Sequence, residues 1–253
     1  MLKNLFKKSL QKLGYKLSKI VPAHAGSPNR PPHASFSQVL EDLVARGFQS
    51  ATILDVGANR ADWSRIAKVV FKHSIFYLIE PQIEMEADLK NFCKANPGSK
   101  YFLCGAGSVD QLLTLTIWDD KAGSSFVPKE QDFFSYANEK RVVPIRTINS
   151  IISENTIEVP NLVKLDIQGF EIEALKGASD LFGKTEVFIL EVALFKFEGM
   201  PVFSEVVAFM ESKGYVLYDF AGFSRRPYDG ALGQCDMLFA KKDGLLTQYQ
   251  QWR

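Results

Sequence analysis

The sequence has almost no net charge, because 30 Lys and Arg residues are balanced by 29 Asp and Glu residues. Such a chain lacks the broad positive field that attracts nucleic acid, so no nucleic-acid partner is predicted. No apolar run approaches the ~20 residues of a membrane-spanning helix. Lysines interrupt the N-terminal apolar residues, and this pattern argues against a secretory signal. A cytoplasmic location is therefore expected.

Cysteine is scarce as well. Cys93, Cys104 and Cys235 are odd in number and widely spaced, which argues against a disulfide framework and for a reducing compartment. The spacings H-x-x-x-H, C-x-x-C and that of an EF-hand do not occur, so no dedicated metal site is predicted. A magnesium ion held by Asp166 and another acid such as Asp236 is left open.

The first 20 residues differ from the rest by combining apolar and basic side chains without any acid. Their apolar residues recur at steps of one, three and four, which predicts an amphipathic helix over 1–20. A basic helix of this kind is typical of peripheral contact with an anionic membrane. It is equally typical of a helix that covers an apolar patch of its own domain or of a second subunit. The sequence leaves these uses, and the oligomeric state, open.

Residues 21–35 contain four prolines and predict a linker, so the folded domain is expected to span 36–245. In that domain short apolar runs alternate with helical patterns, which is typical of a doubly wound, mostly parallel sheet with helices on both faces. The last two strands should form an antiparallel pair. The predicted strands begin at Thr52 and cover 74–80, 100–104, 112–118, 141–145, 161–167, 186–192, 215–220 and 235–240.

The segment 119–139 shows little periodicity and is a candidate lid or acceptor-binding loop. A loop of this length inside a compact domain is uncommon unless it has a function. The alternative, a mobile insertion, is equally consistent with the sequence. The connection 222–234 is the other expected place for acceptor contacts.

The stretch Thr52–Asn59 places an acid and a glycine at the end of a buried strand. Asp55 lies within the apolar run, and Gly57 follows directly before a helical pattern. Ligands of open α/β sheets bind outside the carboxyl ends of such strands. A second acid, Glu80, ends the next predicted strand, and a carboxylate there can accept hydrogen bonds from both hydroxyls of a ribose. These positions predict a nucleoside-like ligand, whereas a purely structural glycine with two strand-end acids is the alternative.

Nicotinamide dinucleotides use a similar acid after a G-x-G-x-x-G fingerprint. In this chain Gly57 is followed by Ala58-Asn59-Arg60-Ala61-Asp62, so only the first glycine is present. Close approach of a pyrophosphate is therefore poorly provided for. A ligand with an adenosine but no phosphate fits better, and S-adenosylmethionine is the predicted cofactor. Its carboxylate could lie at the helix N-terminus that follows Gly57.

Several motifs together resemble the FkbM-type S-adenosylmethionine-dependent methyltransferases. The segment D-x-Q-G-x-E followed by L-K-G-A is the most specific, and the order and spacing of the motifs agree over about residues 52–241. The motifs are Leu54–Asn59, Ile79–Pro81, Gly123–Ser125, Val163–Glu171 and Leu175–Ala178.

This resemblance implies a class I methyltransferase fold of seven strands with the last antiparallel, and O-methylation of sugar or polyketide hydroxyls. One departure is Ala61, where the family usually has glycine, so looser or shifted cofactor binding is expected. The implied contacts are Asp55, Gly57 and Asn59 at the methionine side, Glu80 at the ribose, and Gly105 and Ala106 at the adenine, with Ala58 and Pro81 beside them.

Transfer of a methyl group to a hydroxyl needs a positioned acceptor and a base for its proton. Asp166 is the first candidate base, because it follows a central strand beside the expected crevice. Glu171 begins the next helix and Glu191 lies near the next strand end, so either could serve as the base or orient the acceptor. Glu171 could equally complement its helix N-terminus, and Glu191 could be a buried, paired acid.

The sequence therefore predicts an S-adenosylmethionine-dependent O-methyltransferase that acts on a sugar hydroxyl of a glycan or glycolipid. The basic stretch 1–20 favours a lipid-linked acceptor. Two alternatives stay open: a nicotinamide-dependent oxidoreductase, against which the missing glycines argue, and a non-catalytic scaffold with the same fold.

Overall fold

A computed structural model describes residues 35–119, 121–127, 139–196 and 199–248. Its main sheet has seven strands in the order β3-β2-β1-β7-β8-β10-β9. The strands pair in parallel except β10, which runs antiparallel to both of its neighbours. This arrangement confirms the predicted fold class. The strands are β1 (Thr52–Val56), β2 (Ile75–Ile79), β3 (Lys100–Phe102), β7 (Leu162–Leu165), β8 (Val187–Ala193), β9 (Tyr215–Arg225) and β10 (Leu232–Lys241).

Helices cover both faces of this sheet, because successive side chains of the central strands point to opposite faces. One face of the core contains Ile53 and Ile189 and packs against α1, α2 and α3. The other contains Leu54 and Leu190 and packs against α4, α5 and α6. The helices are α1 (Phe36–Ala45), α2 (Asp62–Val70), α3 (Glu86–Ala95), α4 (Ile148–Glu154), α5 (Glu171–Lys176) and α6 (Phe203–Ser212).

Helix α1 is the first element of the described residues and begins at Phe36, while the domain bounds 36–245 stay a prediction. Ser35 precedes α1, and its hydroxyl accepts the N–H of Gln38 while the Gln38 side chain accepts the N–H of Ser35. This reciprocal capping satisfies two of the N–H groups that lack a partner inside the helix.

Helix α6 begins two residues after Pro201. Val202 is extended and bridges to Ala193 of β8, so α6 begins at Phe203. The Glu205 carboxylate accepts the N–H of Val202 at 2.8 Å. Pairing with the neighbouring strand holds Val202 outside the helix.

The predicted strands 112–118 and 141–145 are present, but they form a separate sheet that the sequence pattern does not show. Its strands are β4 (Gly105–Ala106), β5 (Gln111–Ile117) and β6 (Glu139–Arg146). In the sheet β6 lies between β4 and β5. Leu115, Val143 and Ile145 form its own apolar cluster, against which Phe170 packs. This sheet adjoins the carboxyl ends of the main strands through Gly105 and Ala106.

The closing antiparallel pair is longer than predicted, because β9 continues to Arg225 and β10 starts at Leu232. Most of the predicted connection 222–234 is therefore strand. Within the described ranges no helix is long and apolar enough to cross a membrane. The predicted helix 1–20, most of the linker 21–35 and the central part of the segment 119–139 lie outside the described residues.

Candidate functional site

The turn after β1 passes directly over the end of β7. Gly57 has a φ of +81°, and the N–H groups of Gly57 and Ala58 both donate to the carbonyl of Ile79. A methyl group placed on Gly57 would lie 1.9 Å from the carbonyl oxygen of Asp166. The absence of a side chain at Gly57 therefore lets three strand ends meet at one point.

Two residues after this turn also have left-handed backbone conformations. Asn59 has a φ of +45° and Ala61 a φ of +64°, which L residues other than glycine seldom adopt. Ala61 precedes α2 and is completely buried. Glycine would adopt the Ala61 conformation without steric cost, which is a physical reason for the glycine that the resemblance implies at this position. Looser cofactor binding because of Ala61 stays a prediction.

Glu80 is buried at the end of β2 and accepts three hydrogen bonds. Its Oε2 accepts the N–H of Asn59 at 2.8 Å, and its Oε1 accepts the N–H and the side-chain amide of Gln82. Burial raises the pKa of Glu80, and these hydrogen bonds oppose that shift. A carboxylate has about four acceptor positions, so Glu80 can still accept a bond from a ligand hydroxyl.

These turns surround a cavity of about 350 Å³ at the carboxyl ends of β1, β2 and β7, which we call the strand-end cavity. Its volume lies in the range of roughly 300–1,000 Å³ that is usual for small-molecule sites. Most of the predicted site residues line it. They are Gly57, Ala58, Asn59, Glu80, Pro81, Gly105, Ala106, Asp166 and Glu191.

Asp55 and Glu171 are not among the lining residues. Asp55 is completely buried; its Oδ2 accepts the Ser64 hydroxyl at 2.6 Å, while its Oδ1 has no hydrogen-bond partner among the described residues. Burial raises the pKa of Asp55, and the charge of Lys164 offsets this only partly. The predicted roles of Asp55 in cofactor binding and of Glu171 in catalysis stay predictions.

Asp166 is bound to a buried lysine. The Lys164 ammonium, whose residue is 4% exposed, donates to Asp166 Oδ2 at 2.9 Å. Burial opposes ionisation of Asp166, but the Lys164 charge and hydrogen bond hold its pKa below the ordinary value. Lys164 itself keeps its proton, because the carboxylates of Asp166 and Asp55 outweigh the effect of burial on its pKa. Asp166 is therefore ionised at neutral pH.

The pKa of Glu191 is shifted in the opposite direction to that of Asp166, although both residues line the same cavity. Burial raises the pKa of Glu191, and the charge of Asp166 and a hydrogen bond between the two carboxyls raise it further. Two adjacent carboxyls cannot both ionise easily, so such a pair holds one proton and one charge. At neutral pH Glu191 is protonated beside an ionised Asp166.

Two glutamine amides bind this carboxyl pair. The Gln168 side chain donates to Asp166 Oδ1 at 3.0 Å and to Glu191 Oε2 at 2.6 Å, and Gln234 donates to the same Glu191 oxygen at 3.1 Å. The sequence did not identify Gln168, Gln234 or Lys164 as site residues. For Lys164 a signal exists, because residues two apart on a strand share a face and Lys164 precedes Asp166 by two.

Glu171 holds the turn that carries Gln168. Its Oε1 accepts the N–H of Ile167 at 3.0 Å and that of Gly169 at 3.2 Å. Gln168 lies between them with a φ of +53°, in the left-handed region. Glu171 is 2% exposed, and burial raises its pKa from 4.5 to about 7 against the effect of the two backbone bonds. We therefore expect Glu171 to act as a positioning residue.

Replacing Glu171 by glutamine should change how stability depends on pH. The raised pKa means that the folded protein binds a proton between pH 4.5 and about 7 which the unfolded chain has released. The contribution of Glu171 to the free energy of unfolding should therefore fall by about 3 kcal/mol as pH rises through that interval. The substituted glutamine side chain cannot ionise, yet its amide oxygen can accept the same N–H bonds, so this loss should disappear.

Urea unfolding of both proteins at pH 5 and pH 8 measures this effect as the difference between their pH dependences. Glu211→Gln, an exposed glutamate near the end of α6, is the control and should behave as the wild type. Equal pH dependences in wild type and Glu171→Gln would contradict the prediction.

The short segment 121–127 closes one side of the strand-end cavity. The Gln82 side chain donates to the Lys121 carbonyl at 3.0 Å, and the Ser124 hydroxyl donates to the Gln82 oxygen at 3.3 Å. Ser125 donates to the Gln168 carbonyl at 2.7 Å. The Gly123–Ser125 motif thus connects the Glu80 side of the cavity with the Asp166 side.

No metal cluster is indicated by the part of the chain that the structure describes, since no group of three or more His, Cys, Asp or Glu side chains there could hold a metal ion. Asp236 faces the carboxyl pair from β10. Burial and the charge of Asp166 raise its pKa to about 6, against the effect of Lys164.

Comparison with protein families finds one match, to the model described as "Methyltransferase FkbM domain", over residues 55–217. This range covers well over half of the chain and includes most of the strand-end cavity. A search of the curated proteins finds no match.

Among solved structures, a putative rRNA methylase from Clostridium thermocellum is similar with 9% identity and a TM-score of 0.48, over 84% of this chain and 98% of that one. The 1,6-didemethyltoxoflavin-N1-methyltransferase of Burkholderia thailandensis, solved with S-adenosylhomocysteine, has 11% identity and a TM-score of 0.44. The match covers 82% of this chain and 77% of that one. The precorrin-6y C5,15-methyltransferase of Geobacter metallireducens has 12% identity and a TM-score of 0.43. The match covers 81% of this chain and 88% of that one.

Proposed function

The chain belongs to the FkbM methyltransferase family and is an S-adenosylmethionine-dependent methyltransferase, and from this premise we propose that it methylates a sugar hydroxyl of a glycan or glycolipid. The observation that supports transfer to oxygen is the Asp166–Glu191 carboxyl pair on the wall of the strand-end cavity. An alcohol must lose its proton during methylation, and an ionised carboxylate at the cavity wall can take it. The resemblance to enzymes that methylate sugar or polyketide hydroxyls supports a hydroxyl acceptor, and the sugar is our choice between the two.

S-adenosylmethionine supplies a methyl group on a sulfonium cation, which an oxygen can attack directly. The residues of the strand-end cavity fit this cofactor. Glu80 retains one acceptor position for a ribose hydroxyl, and the turn Gly57–Asn59 would hold the methionine end near the start of α2. Gly105 and Ala106 would lie at the adenine.

Packing against neighbouring side chains also favours glycine at position 105. A methyl group there would lie 2.6 Å from the Ile145 side chain and 2.7 Å from the Phe126 ring. Packing against the small sheet, and not only a cofactor, therefore excludes a side chain at this position.

In the proposed reaction the acceptor hydroxyl lies against the Asp166 carboxylate. The O–H bond would break and its proton pass to Asp166 as the new O–C bond forms, while the bond between the methyl carbon and the sulfonium sulfur breaks and leaves a neutral thioether. Lys164 and Gln168 hold Asp166 in place through its two oxygens. Protonated Glu191 donates to Asp166 and keeps the negative charge of the pair on the residue that faces the acceptor.

Replacing Glu80 by alanine is expected to abolish measurable S-adenosylmethionine binding in isothermal titration calorimetry. A hydrogen bond to a charged group contributes about 1.5–3 kcal/mol, so loss of one ribose bond weakens binding by roughly 10- to 150-fold, and displacement of the Asn59 turn adds to this loss. The variant also leaves the N–H groups of Asn59 and Gln82 without their acceptor.

Glu41→Ala is the control, because Glu41 is an exposed glutamate of α1 that does not line the strand-end cavity. Its S-adenosylmethionine affinity should equal that of the wild type. A Glu80→Ala protein that binds the cofactor with unchanged affinity would show that Glu80 does not hold the ribose.

The acceptor is tested with labelled methyl donor against glycans and glycolipids. Label on a sugar oxygen supports the proposal, and label found only on nitrogen, carbon or non-sugar oxygen contradicts it. The oxidoreductase alternative would require nicotinamide binding, which nicotinamide fluorescence on mixing detects. A scaffold with this fold would show no transfer to any acceptor.

A further inference from the structure

A second cavity of about 500 Å³ lies next to the first, which we call the hairpin cavity because the β9–β10 hairpin forms much of its wall. Gln168 lines both cavities. Gln234 lines the hairpin cavity and donates to Glu191, which lines the other. A molecule in the hairpin cavity would therefore reach the carboxyl pair past the two glutamine amides.

The walls of the hairpin cavity are largely apolar. Ala193 contributes from the end of β8, Phe195 and Met200 from the segment after it. The other apolar lining residues are Val127 of the segment 121–127, and Pro227 and Tyr228 of the hairpin. Tyr228 is 92% exposed, so it borders the cavity at the protein surface.

The charges at this cavity are already paired or bonded. The Arg226 guanidinium lies 4.4 Å from the centre of the Phe195 ring and forms a salt bridge with Asp229. Arg225 donates to the carbonyl of Gly230 at 2.9 Å. Among the described residues that line the cavity there is no carboxylate. A positively charged ligand would thus meet the Arg225 guanidinium, whereas the nearby carboxylate of Asp229 is already paired with Arg226.

We propose that the hairpin cavity binds an apolar body attached to the acceptor sugar, so that the substrate is an amphipathic glycoside without positive charge. This inference rests on the proposed function, because it takes a sugar hydroxyl at Asp166 as its starting point. Apolar walls bind an alkyl or ring body by removing it from water. The amides of Gln168 and Gln234 mark the boundary at which the polar part of the substrate begins.

The first experiment compares acceptors that differ only in the apolar body. Transfer from labelled S-adenosylmethionine is measured with n-octyl β-D-glucoside below its micelle concentration and with methyl β-D-glucoside. We expect kcat/KM to be at least 10-fold higher for the octyl compound, mainly through a lower KM. Equal values for the two glucosides would overturn the hairpin-cavity inference while leaving sugar O-methylation intact.

The second experiment locates the binding site with substitutions. Phe195→Ala and Tyr228→Ala enlarge and open the cavity, and Ala193→Phe fills it. We expect each to reduce the octyl-to-methyl ratio of kcat/KM at least 3-fold. Phe223→Ala is the control, because Phe223 is an exposed aromatic residue of the same hairpin outside the cavity lining. Its ratio should be that of the wild type.

Two further measurements separate failure of the inference from failure of the fold or of the proposed function. Circular dichroism and S-adenosylmethionine calorimetry of each variant should match the wild type, which shows that the strand-end cavity is intact. The neutral fluorophore N-phenyl-1-naphthylamine should bind the wild type, be displaced by octyl glucoside, and bind Ala193→Phe at least 10-fold more weakly.

If the fluorophore and octyl glucoside compete in this way but no sugar is methylated, the apolar site stands and the sugar acceptor is wrong. If sugars are methylated and wild type and Ala193→Phe bind the fluorophore alike, the apolar site is wrong.

Discussion

Asp166→Asn is expected to lower kcat for methyl transfer by about 10²–10⁴-fold, which is the usual contribution of a positioned general base. Asparagine keeps the shape of the side chain, but its amide cannot take the acceptor proton. The S-adenosylmethionine affinity should change far less than kcat, because Glu80 and the turn Gly57–Asn59 remain. Single-turnover transfer and calorimetry of the same preparation measure the two quantities.

The substitution also affects stability, and this effect must be separated from catalysis. Asp166→Asn removes a charge partner of Lys164, and breaking a buried ion pair by removing one partner costs about 3–5 kcal/mol. Asp55 and Asp236 also attract the Lys164 charge, so a loss at the lower end is expected. The double variant Lys164→Met/Asp166→Asn should recover stability without recovering activity.

An exposed aspartate gives the control for the chemistry. Asp180→Asn alters a residue of the surface turn after α5 and should leave kcat and stability unchanged. Wild-type kcat in Asp166→Asn would exclude Asp166 as the base. If Glu191→Gln then lost activity, the proton would go to Glu191 instead.

Gly57→Ala is expected to destabilise the protein by about 3 kcal/mol or more and to weaken S-adenosylmethionine binding by at least ~100-fold. The added methyl group would lie 1.9 Å from the Asp166 carbonyl oxygen, which is backbone and cannot rotate away. The ends of β1 and β7 would have to separate, and the Asp166 N–H would lose its 3.0 Å bond to the Val56 carbonyl. Urea unfolding and calorimetry measure the two effects.

Gly183→Ala isolates the backbone part of this effect. Gly183 has a φ of +78°, close to that of Gly57, and apart from its chain neighbours no atom of the described residues lies within 4 Å of an added methyl group. It should lose only the roughly 1–3 kcal/mol of a left-handed non-glycine residue and keep full cofactor affinity. Similar stability and affinity in the two variants would mean that β1 and β7 do not approach as closely as described.

The order of apolar runs and turns was sufficient to predict the sheet class and the residues around Gly57 and Glu80. Strand residues alternate between faces, and the carboxyl ends of parallel strands meet at one edge, so these positions follow from local pattern. The small sheet β4-β6-β5 was not predictable in this way. Gly105–Ala106 is too short to show a period, and its partner β6 lies 40 residues away.

The sequence by itself determined the strands, the acids at their ends and the glycine that lets β1 and β7 approach. These properties depend on neighbours in the chain. Only the tertiary structure decided how the acids behave: Lys164 keeps Asp166 ionised, while Asp166 keeps Glu191 protonated. The two amides that bind this pair come from Gln168 and Gln234, which are 66 positions apart. A pKa depends on burial and on charges a few ångströms away, and folding alone brings those groups together.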